Sequence, residues 1–349
     1  MDLGLVGLPQ SGKSALLSLL TGGPPTGRTA VARVPDPRLE VLAGIFHPRK
    51  VTPAAIALTE LPGLQPGRLD KGERNAFFEA VRKTDALLHV VRAFEAPSAP
   101  HPRGSVDPLR DARDVEEELL LADLERAETL CERLAKSRAR SREEDLQLLA
   151  LRRCAAGLGE VRPVRLLELT PDERALLGGF GLLTARGALL ALNLGEEDLR
   201  SGRRFPDLEA WAAENGMTVV TFSAQVEAEI AGLPPQERAE FLAAYGLTQP
   251  GTDRLAQAAY AALGLISFLT AGEDEVRAWP IPRGTVARRA AGKIHTDIEK
   301  GFIRAEVAAF TALQQVGSWK GLREAGLLRL EGKEYAVRDG DIIEFRFNV

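Results

Sequence analysis

Cysteine is nearly absent from this chain of 349 residues, and so are long apolar runs and any surplus of positive charge. Each absence excludes something. Cys131 and Cys154 are the two cysteines, too few for a disulfide framework. No apolar run approaches the ~18 residues that would span a bilayer. No basic segment with a cleavable apolar stretch opens the sequence, so a leader peptide is not expected and a cytoplasmic protein is. The formal net charge is −4. No global positive field therefore draws the chain to nucleic acid, and any such contact must be local. Lysine is scarce as well. Nine of the 45 basic residues are lysine and 36 are arginine, so a single arginine cluster carries less weight here than elsewhere.

What is present is ordinary for a soluble globular protein, 45% hydrophobic and 27% charged. The length suggests two or three domains. Near the start, "MDLGLV" reads as a strand and "ALLSLLTGG" as a helix that ends at a glycine pair. Between them lies "GLPQSGKS", in which Gly7, Gly12, Lys13 and Ser14 fit the phosphate-loop pattern G-x-x-x-x-G-K-[ST]. The glycines let the backbone curl until successive N–H groups point at phosphate oxygens. The following helix adds the positive end of its dipole. Lys13 would reach the β- and γ-phosphates, and the Ser14 hydroxyl would ligate Mg²⁺.

Three further strand ends complete a candidate site. "AAIALTELPG" ends in Glu60-Leu61-Pro62-Gly63, with the spacing of D-x-x-G but Glu in place of Asp. An acid there would hold the metal, and the Gly63 N–H would meet the γ-phosphate. "GALLALNLGEEDL" ends in Asn193-Leu194-Gly195-Glu196, where many GTPases carry N-K-x-D. "VVTFSAQVEAEI" is a strand followed by Ser223-Ala224-Gln225, a turn that lies beside the base in such folds.

These stretches resemble the Obg-like ATPase family, also called YchF. The family's phosphate loop reads GLPNVGKS where this chain has GLPQSGKS. "VPDPRLEVLAGIFHPRKV", "DALLHVVRAFE", "SAQVEAEIAGLPPQERAEF" and the tail from "GKIHTDIEKGFIRAEV" to "DGDIIEFRFNV" look like family text. The resemblance implies an α/β chain: a P-loop NTPase domain of Ras/Obg-like type, an inserted antiparallel helical hairpin and a C-terminal β-grasp (TGS) domain. It implies that Gly7, Gln10, Ser11, Gly12, Lys13, Ser14, Ala15 and Gly63 face phosphates. It also implies that Asn193, Leu194, Glu196, Ser223 and Ala224 face the base, with ATP preferred to GTP, and that Ser14 and Glu60 hold Mg²⁺. A ribosome or RNA partner, reached through the arm and the tail, is implied too, with no DNA specificity and no membrane. The chain departs from the family pattern in a shortened "GGPPTGRTAVAR", in Glu-Leu-Pro-Gly for Asp-Ile-Ala-Gly, and in Gln10 for Asn. All three departures fall around the γ-phosphate and metal.

Ras-like enzymes position the attacking water with a glutamine just after D-x-x-G. That position is Leu64 here, and the family shares the substitution. Its proposed replacement is a loop histidine, which corresponds to His101 in "AFEAPSAPHPRGSVDP". An imidazole there could orient water or stabilise developing charge. Catalytic roles are thus expected of His101 and Lys13. The alternative for His101 is an exposed loop residue between two prolines.

From about Asp111 the sequence turns helical and charged. Leu120, Leu124, Ala127, Cys131 and Leu134 form one seam, and Leu148, Leu151, Ala155 and Leu158 a second. They predict an antiparallel hairpin whose register sets Cys131 against Cys154. Lys136, Arg138, Arg140 and Arg142 crowd its tip, suited to phosphate backbones by charge, or simply a solvated turn. In the tail, "EVRAWPIP" and "LLRLEGKEYAVRDGDIIEFRFNV" read as strands and "RGTVARRAAGKIHTDIEKGF" contains helix. His295 has no Cys/His set around it, so no metal is expected there. The expected layout is nucleotide domain 1–110, arm 111–180, nucleotide domain again 181–265 and TGS-like domain 266–349. The expected function is an ATP-binding, slowly hydrolysing switch. A GTPase of the same fold and a non-hydrolysing nucleotide sensor are the alternatives.

Overall fold

A computed structural model describes residues 1–25, 27–67, 70–137 and 139–348. Among them the strands run in order β1 (Asp2–Val6), β2 (Thr29–Val34), β3 (Lys50–Thr52), β4 (Ala54–Glu60), β5 (Ala86–Ala93) and β6 (Gly187–Leu194). There follow β7 (Thr218–Phe222), β8 (Leu265–Ala271), β9 (Glu275–Pro282), β10 (Phe302–Ala309), β11 (Arg329–Glu331) and β12 (Asp341–Phe347). They build two six-stranded sheets, ordered β2-β4-β1-β5-β6-β7 and β11-β10-β12-β8-β9-β3. The chain divides into two compact units: residues 1–30 with 57–259, and residues 31–56 with 260–349.

In the first unit β1, β4, β5, β6 and β7 are parallel. "ALLHVVRA" of β5 is buried at every position, as befits a strand covered on both faces. Parallel pairing brings the carboxyl ends of the strands to one edge of the sheet, where open α/β sheets bind ligands. Glu60 pairs in register with Leu5, His89 with Val6, and Arg92 with Asn193. The phosphate loop, Glu60 and Asn193 are therefore assembled by the register alone.

The arm leaves this sheet between β5 and β6. Its helices span Pro108–Lys136 and Arg142–Gly159, the first about 43 Å long at 1.5 Å per residue. Asp107 caps the first, and a Ser141/Glu144 capping box starts the second. The seam is closed by Leu120, Ala127, Leu130, Leu134, Leu148, Leu151, Cys154 and Leu158, with Leu124, Cys131 and Ala155 packed partly buried against it. Both cysteines are free thiols in one apolar cluster. Burial pushes the Cys154 thiol up to about 11, so it packs as an inert small hydrophobe. At the arm's base the fully buried Asp123 accepts from Leu183 N, Thr184 N and Thr184 Oγ1 at 2.6–2.7 Å.

The tip cations have local uses. Arg140 donates from Nε to Asp145 at 2.7 Å and from Nη1 to the carbonyls of Leu134, Ala135 and Ser137, which closes the end of the first arm helix. Lys136 reaches Glu132 at 3.3 Å. Arg138 lies outside the described residues.

In the second unit, β10–β12 and β8–β9 are antiparallel, while β12 and β8 run parallel. Ala287, Ala290 and Ala291 of the helix Ala287–Ile294 pack with Phe268, Ile281, Val307 and Ile343 of the sheet. Residues 31–56 group by contact with this unit. β3 pairs with β9 as an edge strand. Arg38, at the start of the helix Pro37–Phe46, bridges Asp36 and Asp339 at 2.8 and 2.9 Å. The grouping rests on long-range pairing, which no local pattern in so short a strand announces.

Candidate nucleotide-binding site

The loop between β1 and the helix Lys13–Thr21 is built on positive φ angles: Gly7 at 146°, Gln10 at 61° and Gly12 at 101°. A Cβ at Gly7 would lie 2.3 Å from the Val90 carbonyl oxygen, and one at Gly12 would lie 2.4 Å from Asn193 Nδ2. Backbone strain and backbone approach together demand glycine at both positions. Gly12 caps the helix without a side-chain bond, which leaves the first helical N–H groups for an anion.

Lys13 is buried and donates from Nζ to the carbonyls of Gly7 and Leu8, at 3.0 and 2.8 Å. Its ammonium is thus held across the curled loop. Burial lowers its pKa to about 8, against the opposing pull of Glu60. Ser14 Oγ donates to Glu60 Oε1 at 2.5 Å. A hydroxyl and a carboxylate oxygen so close, beside a lysine and a helix N-terminus, form a hard-oxygen pair suited to Mg²⁺ next to phosphate. These groups border a cavity of about 600 Å³, whose lining includes Gln10, Gly12, Ala15, Arg28, Gly63 and Ala99. Ser11 is 2% exposed, and its Oγ finds no partner among the described residues.

On the far side, Asn193 uses both ends of its amide. Nδ2 donates to Ser11 O at 3.2 Å, and Oδ1 accepts from Ala224 N at 3.0 Å. One buried side chain therefore ties the phosphate loop to the turn after β7. Leu194 and Ser223 are buried, and Ser223 Oγ has no partner among the described residues. Glu196 Oε1 accepts from Arg200 at 2.7 Å and from the Tyr245 hydroxyl at 3.0 Å. The Arg200 guanidinium stacks 5.0 Å from the Tyr245 ring centre.

His101 stands apart from the phosphate cavity. Its Nε2 lies 2.8 Å from Asp111 Oδ2, and its Nδ1 accepts from Arg103 N at 3.2 Å. Ala99, two residues earlier, does line the cavity. Leu64 is 1% exposed within the core. Neither His101 nor Leu64 is among the residues that line the cavity.

Two side chains escaped the sequence reading. Arg92 is 2% exposed; its Nε and Nη1 donate to Phe94 O and Ala99 O at 2.9 and 2.8 Å, so it shapes the loop leading to His101. His89 pairs in register with Val6, and burial, aided by the charge of Lys13, lowers its pKa to about 3. The run "HVVRAFE" contains both, but alternation alone does not separate them from core residues.

Fold and site define a nucleotide-binding protein of the P-loop GTPase type. A family profile described as "50S ribosome-binding GTPase" matches residues 2–126, and a YchF-GTPase C-terminal profile, described as a protein of unknown function, matches residues 265–348. The "Ribosome-binding ATPase YchF" of Haemophilus ducreyi is 39% identical over 99% of both chains, and that of Bacillus subtilis 37% over the whole of both. A solved YchF GTPase structure from Schizosaccharomyces pombe superposes with a TM-score of 0.88 at 30% identity, over 99% of this chain and 97% of that one. The chain belongs to the YchF family.

Proposed function

We propose that this protein binds ATP in the cavity between the phosphate loop and Glu60, hydrolyses it slowly, and acts as a nucleotide-dependent switch on the ribosome in the cytoplasm. The observation that carries the nucleotide half is the phosphate loop with Ser14 and Glu60 in contact at its mouth. The ribosome half rests on relatives named ribosome-binding ATPases that match the chain end to end.

In this reading Lys13 exchanges its bonds to Gly7 and Leu8 for β- and γ-phosphate oxygens. Ser14 and Glu60 hold Mg²⁺, which when bound neutralises charge that develops on the phosphates. Asn193 keeps the loop in register with the base-side turn. Glu196, engaged by Arg200 and Tyr245, is not free to accept the two guanine N–H groups as an unencumbered aspartate would, which favours ATP. Slow turnover follows from Leu64 in the core and from His101 bound to Asp111.

The test is steady-state hydrolysis of ATP and GTP by the purified chain, together with competition binding. ATP should bind more tightly and turn over faster. Clearly tighter GTP would reverse the base assignment, and undetectable turnover with tight binding would make the protein a sensor.

A further inference from the structure

We propose that the groove between the helix Lys71–Arg82 and the arm helix Pro108–Lys136 binds the phosphodiester backbone of RNA. The proposal rests on the ribosome-associated reading above and names the surface that would serve it.

The groove encloses about 720 Å³ and is lined by Lys71, Arg74, Arg82, Arg126 and Arg133 against one carboxylate, Glu125. The two helices contribute independently. Arg126 and Arg133 are seven residues apart, two turns, so they stand on one face about 10 Å from each other along the axis. A nucleic-acid strand offers several phosphates over that length. The acids nearby do not cancel the cations. Glu79 takes Arg82, while Glu118 and Glu125 share Arg74, Glu125 at 3.9 Å and largely exposed. Among the described residues Arg126 donates to a neutral acceptor, the Phe180 carbonyl. Lys71 and Arg133 have no ion-pair partner among the described residues. Burial first, then the Arg82 guanidinium, disfavours the charged form of Arg126; Glu79 and Asp123 oppose this, and Arg133 adds a smaller push in the same direction as Arg82. Cations crowded against their own repulsion are relieved by an incoming polyanion.

The chemistry favours a phosphate backbone over an acidic protein segment. Phe78, Ala122 and Leu130 at the floor are already at most 8% exposed. The groove therefore lacks the apolar pocket in which a peptide would anchor a side chain. Backbone contacts need charge and donors alone, and Asn75 adds an uncharged donor. Compared with the arm's tip, where Arg140 is spent on helix carbonyls, this surface is the better provided with cations. The Lys71–Arg82 helix also begins eight residues after Gly63 in the sequence.

The experiment uses the full chain and a fluorescein-labelled 20-nucleotide polyuridylate, read by anisotropy across a salt series. Lys71→Gln/Arg133→Gln removes two cations that have no ion-pair partner among the described residues. It should weaken binding about tenfold near 0.1 M salt and reduce the salt slope by about 1.4, at ~0.7 per neutralised charge. ATP affinity should be unchanged, and Lys136→Gln/Arg142→Gln at the tip should stay within about twofold of wild type. Overturning results are a groove variant that binds like wild type, a loss carried by the tip variant instead, no binding of the probe by wild type, or polyglutamate bound in the groove in place of RNA. Ribosome cosedimentation run in parallel separates the two readings. Absent cosedimentation of wild type sinks the ribosome assignment. Wild-type RNA affinity in the groove variant sinks the groove.

Discussion

His101 Nε2 and Asp111 Oδ2 lie 2.8 Å apart, each side chain 3% exposed, and the other Asp111 oxygen is gripped by Arg110 at 2.7 Å. Burial pushes the Asp111 carboxyl up, against the pull of Arg110 and His101. If the imidazole acts on the γ-phosphate, it does so only after leaving this pairing. His101→Ala should then lower kcat by roughly 10²-fold, the low end of what proton-transfer groups supply, with ATP affinity little changed. Asp111→Asn, which loosens the pairing, should raise kcat. A His101→Ala protein that loses thermal stability and keeps kcat would make the pair a purely structural clasp.

Lys13→Ala should lower ATP affinity by at least about 100-fold, because two charge-assisted bonds of about 1.5–3 kcal/mol each vanish from the complex. Isothermal calorimetry reads this directly. Unchanged affinity would remove the phosphate-loop assignment.

Asn193→Asp should destabilise the first unit by about 2–3 kcal/mol. A carboxylate can still accept from Ala224 N but cannot donate to Ser11 O, and it sets two acceptors against each other in a buried place. Urea midpoints measure the loss. ATP affinity should fall with it, since the same amide fixes the loop.

His89 sets an acid limit. Its folded pKa, about 3, is depressed from 6.5. Between those values the unfolded chain holds a proton that the folded one does not, so stability falls as pH is lowered through the window. The slope is at most about 1.4 kcal/mol per pH unit. His89→Gln should flatten that slope in denaturation series taken from neutral to acidic pH. A slope identical to wild type would mean that other groups carry the acid sensitivity.

Much of the site was legible because its chemistry is local. Gly7 to Ser14 is one contiguous motif, and strand ends at Glu60 and Asn193 fall beside it once parallel pairing is assumed. The arm's seam was legible too, although Leu130 and Cys154 are more deeply buried than Leu124 and Ala155, a rotation of the helix face that spacing by threes and fours does not resolve. What escaped was contact across sequence. Asp111 reads as one acid in a charged helix start, yet it is the partner of His101. The groove cations sit on two helices about fifty residues apart, each unremarkable alone. Arg92 lies in a run that otherwise reads as plain core.

The discontinuous second unit bears on how the protein is made. Lys50 pairs with Glu275, and Arg38 bridges to Asp339, 301 residues onward. At about 5–20 residues per second, residues near Lys50 wait roughly 10–45 s during synthesis before their partner strand exists, and Arg38 waits longer. Through that interval β3 lacks the strand it pairs with. It is three residues long and begins with lysine, the kind of short, charged edge that does not template pairing with a neighbouring chain. Brevity in β3 thus protects the nascent protein as well as finishing the mature sheet.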